Sequence, residues 1–244
     1  MALIKSLSVK EIIKKINNYE TFEAISIESS FHIKIREYIP FVSAAIHAGN
    51  KLRHNLKDKI IHTSYERWYE EDPHTDTFIS SMPLTIVGLD SRFEYDLNRS
   101  PENCVYKDAW GKEVWKKPLS KALIKESLQK HTDFYKVIDV LIEAIEKKFN
   151  GCIVYDMHSY NFIRHKKDLP IFNLGTENVN QKKFKKVIDY WVRGLESIKI
   201  RSIENTTEVN GPFQGNGYFL IHISKKFSNT LVLATEVKKI YCNE

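Results

Sequence analysis

The sequence predicts an α/β protein whose mixed central sheet is covered by helices on both faces. Two amphipathic helical stretches, 120–149 and 181–198, are interleaved with short apolar runs of strand type at 41–46, 83–88 and 152–156. A further alternating stretch follows towards the C-terminus. Buried strands alternating with helices are the pattern of a sheet packed on two sides.

Each element has its own signal. Residues 8–17 read as a short helix with Ser8 as N-cap. The run 41–46, rich in β-branched and small residues, reads as a strand that stops at His47-Ala48-Gly49-Asn50. The stretch 65–81 is polar, aromatic and acidic, and Pro73 suits the first turn of a helix capped by Asp72. Residues 83–88 form a short buried strand. Across 120–149, Leu128, Tyr135, Ile138, Ile142, Ile145 and Phe149 fall on one helical stripe. Asn150-Gly151 ends that helix, with Gly151 free to take positive φ. The helix over 181–198 carries Phe184, Ile188, Trp191, Val192 and Leu195 on its apolar side. Residues 218–221 and 231–237 read as antiparallel strands, which makes the sheet mixed.

At 244 residues the chain can bury one sizeable core. Its 9 glycines and 7 prolines are scattered and no repeat appears, so a single domain over 1–244 is expected. The net charge of +6 raises the question of a polyanion partner. Lys182-Lys183 and Lys185-Lys186, however, alternate with apolar residues as on a solvated helix face. The expectation is no nucleic acid, with some attraction for small anions. Cys104, Cys152 and Cys242 are odd in number and lack CxxC spacing, which fits a reducing cytosol. Charges throughout residues 1–30 leave no signal-peptide core or membrane span, so a soluble, cytoplasmic protein is expected.

Polar residues gather at strand ends, where open α/β sheets place their sites. His47 follows the run 42–46 and His158 follows 153–157, so each is delivered to the loop at a strand's carboxyl end. Between them lies Glu70-Glu71-Asp72-Pro73-His74-Thr75-Asp76. A helix starting near Pro73 sets Asp72 and Asp76 about one turn apart on roughly one face. Helix capping alone accounts for Asp72, less well for Asp76. A catalytic zinc takes three N/O ligands and keeps one open position, which His47, His158 and one of these carboxylates would satisfy. Glu236 lies in an otherwise apolar strand, so it belongs either to a salt bridge or to a site. Arg92, Asn98 and Arg99 supply the forked and amide donors that hold a carboxylate. The loop Asn210-Gly211-Pro212-Phe213-Gln214-Gly215-Asn216-Gly217 either lets backbone N–H groups approach a ligand or closes a tight hairpin.

Taken in order, these segments resemble the N-formylglutamate amidohydrolase family, related to zinc carboxypeptidases and aspartoacylase-like deacylases. The likeness rests on His47-Ala48-Gly49, Glu71-Asp72 with Asp76, and Arg92 followed by Asp96-Leu97-Asn98-Arg99. It continues through Asp156-Met157-His158-Ser159, Asn173-Leu174-Gly175, Gly215-Asn216-Gly217-Tyr218, and Glu236 with Tyr241. It runs from about residue 40 to the C-terminus; the preceding segment has no match.

The resemblance implies a three-layer α/β/α fold of the phosphorylase/hydrolase type and a Zn2+ ion held by His47, an acid and His158. Asp76 is the first choice for that acid, with Asp72 and then Glu71 behind it. It further implies Glu236 as general base, Arg92 at the scissile carbonyl, and Asn98, Arg99, Gly215 and Gly217 around the substrate. Asp156 would orient His158 or the sheet edge. The expected substrate is a small anionic N-formyl or N-acyl amino acid such as N-formylglutamate, or a peptide; a non-catalytic binding member is the rival. Ala48 where the family has Ser, and Asn216 splitting a Gly-Gly pair, bear on the substrate and not on the zinc. The oligomeric state is not legible.

Overall fold

The computed structural model describes residues 4–163 and 168–242. Among them a nine-stranded sheet runs, edge to edge, β1 (Lys5–Leu7), β2 (Phe22–Ser26), β3 (Phe31–Ile35), β5 (Leu84–Gly88), β4 (Phe41–Ala45), β8 (Cys152–Tyr160), β11 (Thr230–Lys238), β9 (Phe172–Gly175) and β10 (Thr207–Val209). The central strands β5, β4, β8 and β11 are parallel, whereas β3 runs antiparallel to β2 and β5, and β9 antiparallel to β11. The short β6 (Asp108–Ala109) and β7 (Lys112–Glu113) pair apart from this sheet as a hairpin.

One face is covered by α1 (Val9–Asn17), α4 (Lys121–Phe149) and α6 (Tyr218–Lys226). Ile12, Ile16, Phe134, Ile138, Phe219 and Ile223 from these helices form one buried cluster with Ile33, Val42, Ile86, Val154 and Val232 from the strands. On the other face α5 (Gln181–Glu196) packs Ile188 against Leu174, Leu231 and Leu233. The one-turn α3 (Thr75–Phe78) leads into Ile79, which packs on Ala45 and Val87. Three layers result, as the sequence pattern implies. A satellite cluster of Leu52, Leu56, Ile60, Phe93 and Trp115 consolidates the segment between β4 and α4, which includes a 3₁₀ turn (His54–Leu56) and α2 (Ser64–Glu70). No helix among the described residues is long and apolar enough to cross a membrane.

Several boundaries follow the sequence signals. Ser8 caps α1 in a reciprocal box with Glu11, and Ser120 caps α4. Others depart from them. Asn150, not Gly151, takes the left-handed conformation after α4, with φ 57° and its N–H on the Glu146 carbonyl at 2.7 Å. Asparagine tolerates that region because its short amide can bond locally. The run 218–221 is the first turn of α6, not a strand, and a four-residue apolar run carries no periodicity able to separate the two. The helix expected at Pro73 starts only at Thr75, because His74 sits in the left-handed region at φ 66°.

Candidate active site

Strand periodicity places the polar groups. In β8 Val154, Asp156 and His158 point to one face, and in β11 Val232, Ala234 and Glu236 do the same. Val154 and Val232 are core residues on the α1–α4–α6 side, so the polar members emerge on that side near the carboxyl ends. Parallel register sets Glu236 beside His158 and Ala234 beside Asp156. On the other flank of β8, β4 exits in the same direction and delivers His47. His158 therefore belongs to β8 itself and not to a following loop.

The backbone N–H of Asp72 donates to the His47 carbonyl at 3.0 Å, which pins the acidic loop to the end of β4. The Asp72 carboxylate then faces both imidazoles: Oδ2 lies 3.0 Å from His158 Nδ1 and 3.4 Å from His47 Nδ1. One ligand atom from each of the three residues falls within 4.8 Å of the others, and all three side chains are buried. Their outward nitrogens are backed by further carboxylates. His47 Nε2 is hydrogen-bonded to Asp96 Oδ1 at 2.7 Å. His158 Nε2 lies 2.9 Å from Asp156 Oδ1, at ion-pair distance without hydrogen-bond alignment. Metal-ligating histidines characteristically present one nitrogen inward and fix the other on a carboxylate. His47 Nδ1 is buried with no hydrogen-bond partner, which an apolar core would not tolerate cheaply. The group could hold a metal ion, and its nitrogen and oxygen donors suit a borderline divalent cation.

At Asp72 and His158 the neighbouring charges outweigh burial. Burial would push the Asp72 carboxyl up, yet the His158 hydrogen bond and the charges of His47 and Arg92 hold it well below the usual carboxylate range. Burial would likewise discharge His158, but Asp156 and Asp72 keep its pKa well above an ordinary imidazole. Asp96 is a hub. Beyond His47 it accepts from Arg92 Nη2 at 2.8 Å, from the Asn98 N–H at 2.6 Å and from the Tyr106 hydroxyl. Among the described residues Glu236 has no such cradle, and burial pushes its carboxyl up to about 7 against the opposing pull of His158.

His47, Asp72, Asp156, His158 and Glu236 line a cavity of about 460 Å³ that also takes in Arg92, Asn98, Arg99, Glu70, Trp110 and the 212–217 loop. The loop is set by glycine contacts. A Cβ on Gly175 would lie 2.4 Å from Gly215 N, and Gly215 itself has φ 86°, open to glycine at little cost. Asn98 then fixes the start of α6: its carbonyl accepts from Tyr218 N at 3.1 Å and its Oδ1 from Phe219 N at 3.2 Å. That leaves the Asn98 amide nitrogen and the exposed Arg99 beside the cavity.

The family model for N-formylglutamate amidohydrolase matches residues 39–241. The chain belongs to the N-formylglutamate amidohydrolase family. Two solved structures share its fold. One is N-formylglutamate amidohydrolase from Ralstonia eutropha, with 15% identity, a TM-score of 0.67, and 86% of this chain and 85% of that one covered. The other is a gene product of Agrobacterium tumefaciens, with 14% identity, a TM-score of 0.68, and 86% and 84% covered. No protein of curated function matches the sequence. The family match starts after β3, so β1, α1, β2 and β3 lie outside it while extending the same sheet.

Within this N-formylglutamate amidohydrolase family member, His47, His158, Glu236, Arg92, Asn98, Arg99, Gly215 and Gly217 all line one cavity. Asp76 does not join them. It is exposed on α3, and the acid that meets the histidines is Asp72. The helix begins after Asp72, so that carboxylate is free of a capping role and turns inward, while its carbonyl takes the Thr75 hydroxyl at 2.7 Å. Glu71 is buried elsewhere, accepting from the Ser91 hydroxyl, and burial lifts its carboxyl to about 7. Sequence reasoning missed Lys239. This buried lysine donates to the Tyr69 and Glu71 carbonyls at 2.7 and 2.6 Å and ties the acidic loop to the end of β11. A lysine closing a strand carries no local mark of that contact. The orienting role of Asp96 was equally hidden, since His47 and Arg92 reach it only in three dimensions.

Proposed function

We propose that the protein is a zinc-dependent amidohydrolase that removes the acyl group from an N-acyl amino acid, with His47, Asp72 and His158 as the metal ligands. The observation carrying this reading is the buried His-Asp-His group with a carboxylate behind each outward nitrogen, opening on a cavity that Glu236 also lines. When bound, zinc supplies Lewis-acid polarisation of the scissile carbonyl and makes water a stronger acid. Glu236, without a hydrogen-bond partner among the described residues and lifted towards neutral pH, takes a proton from the attacking water and passes it to the departing nitrogen. Arg92 keeps its guanidinium charged beside Asp72 and Asp96 and offsets negative charge growing on the carbonyl oxygen. Asn98, Arg99 and the Gly215–Gly217 backbone hold the substrate carboxylate.

The test is elemental analysis of the purified chain together with hydrolysis of N-acyl glutamates after zinc reconstitution. One equivalent of zinc, lost in Asp72→Asn and retained in Asp76→Asn, is the expected result. A wild-type protein that neither carries nor takes up a divalent metal would overturn the reading.

A further inference from the structure

Beside the reactive cavity lies a second one of about 350 Å³, walled by His62, Tyr65, Tyr69, Phe93 and Trp110. The two adjoin, since Glu70 and Trp110 line both. Large rings stand open to it: Tyr65 is 56% exposed and Trp110 43%. Phe93 forms its floor, with ring centroids 5.5 Å from Trp110 and 5.1 Å from His62. Exposed aromatic surface in a concavity adjoining a reactive site is characteristic of ligand contact.

Trp110 is placed at a conformational cost. Trp110 and Gly111 form the two-residue tip of the β6–β7 hairpin, with φ of 50° and 78°. Asn or Asp followed by Gly serves such a turn best, and a bulky residue at positive φ is uncommon. Here the strained position aims an indole at the junction of the cavities, 5.2 Å from the Arg92 guanidinium.

Neighbouring side chains give the groove a direction. The 212–217 loop and Asn98, which hold the carboxylate end, meet at the start of α6. Arg92, set at the scissile carbonyl in the reading above, lies 5.2 Å from the Trp110 ring at the near wall of the groove. A substrate anchored through its amino-acid carboxylate, with its carbonyl at Arg92, extends its acyl half towards Trp110.

We infer that the groove is an acyl subsite and that the amide cleaved carries an aromatic acyl group, an assignment that rests on the amidohydrolase reading above. Water adds across the C–N bond: the acyl carbon gains hydroxyl and leaves as an arylalkyl carboxylic acid, the nitrogen gains the other hydrogen and leaves as the amine, and the acid then gives its proton to the amine or to solvent. A formyl group, a single carbon, would touch none of the groove.

The zinc-supplemented full chain is assayed with N-phenylacetylglutamate and N-formylglutamate. We expect kcat/KM to favour the phenylacetyl compound by about tenfold or more, the scale of one well-packed apolar group. Tyr65→Ala should lower that ratio about tenfold and Tyr65→Phe should restore it. A ratio at or below one, or a ratio indifferent to Tyr65→Ala, overturns the subsite and leaves the amidohydrolase standing. If neither compound is hydrolysed, the amidohydrolase reading fails instead, and calorimetric titration with N-phenylacetylglutamate decides the groove. Binding that weakens in Tyr65→Ala supports the groove; absence of binding to the wild type overturns it.

Discussion

Glu236 and Asp96 are both carboxylates at the site, yet their surroundings assign them different work. Glu236 has no hydrogen-bonded cradle among the described residues, so burial leaves its proton affinity high. Replacing it with Gln keeps shape and removes the base. Zinc should still bind, while kcat falls on the order of 10²–10⁴-fold, the span of a positioned acid–base group. Unchanged turnover of a hydrolysed substrate would remove Glu236 from the reaction. Asp96 is saturated with donors and held well below the usual carboxylate range against its burial, by Arg92 and His47 foremost. It acts through His47. Asp96→Asn should weaken zinc affinity about 10–100-fold, read by competition with a chromophoric chelator. An affinity equal to wild type would reduce Asp96 to a structural anchor. The two histidines were legible because a β-branched run delivers each. The acid was misassigned because Pro73 advertises a helix start two residues before the helix begins, and capping logic then claims Asp72.

At the scale of elements, α4 and α5 were legible from their apolar stripes and β4, β5 and β8 from their composition, whereas β11, read as antiparallel, pairs parallel with β8 and antiparallel with β9. α6 was not legible, since its meaning depends on what it packs against: Phe219, Leu220 and Ile223 bury on the sheet while Asn98 holds its first N–H groups. Its polar side is tied to α4. Asp139 Oδ1 lies 2.7 Å from His222 Nε2, and Oδ2 accepts from Lys226 Nζ at 2.7 Å. Burial raises the Asp139 pKa, but His222 and Lys226 together outweigh it and hold the carboxyl below its ordinary value. A depressed folded pKa stabilises the protein above the unfolded value near ~3.9 and ceases to do so as pH falls through the folded one. Asp139→Asn should therefore cost about 0.5–1 kcal/mol near neutral pH, a figure already discounted for the half-exposed lysine. Urea midpoints of mutant and wild type should converge as the pH is lowered through the acid range. A difference that stayed constant with pH would assign the effect to packing.

The whole molecule carries a local electrostatic debt. Asp72, Asp96, Asp156 and Glu236 crowd around His47 and His158; among the described residues Arg92 lies within 4 Å of Asp72 and Asp96, and the His158 imidazole, with its raised pKa, adds positive charge beside Asp72 and Asp156. Packing this many acids together opposes folding unless positive charge enters with them. A divalent ion held by His47, Asp72 and His158 would replace the imidazole proton with two positive charges, and an ion that binds only the native state stabilises by mass action. Saturation at about a thousandfold over Kd contributes roughly 4 kcal/mol. For a chain of this size that corresponds to a rise in Tm of roughly 10 °C. Because β1–β3 extend the same sheet that carries the site, the gain should appear as the shift of a single transition. Scanning calorimetry of chelator-stripped protein, before and after zinc is restored, measures it directly. His158→Ala should melt at one temperature whether or not zinc is present. If the wild type behaves the same way, the acids are balanced by something other than a metal, and His47, Asp72 and His158 are a charge cluster without an ion.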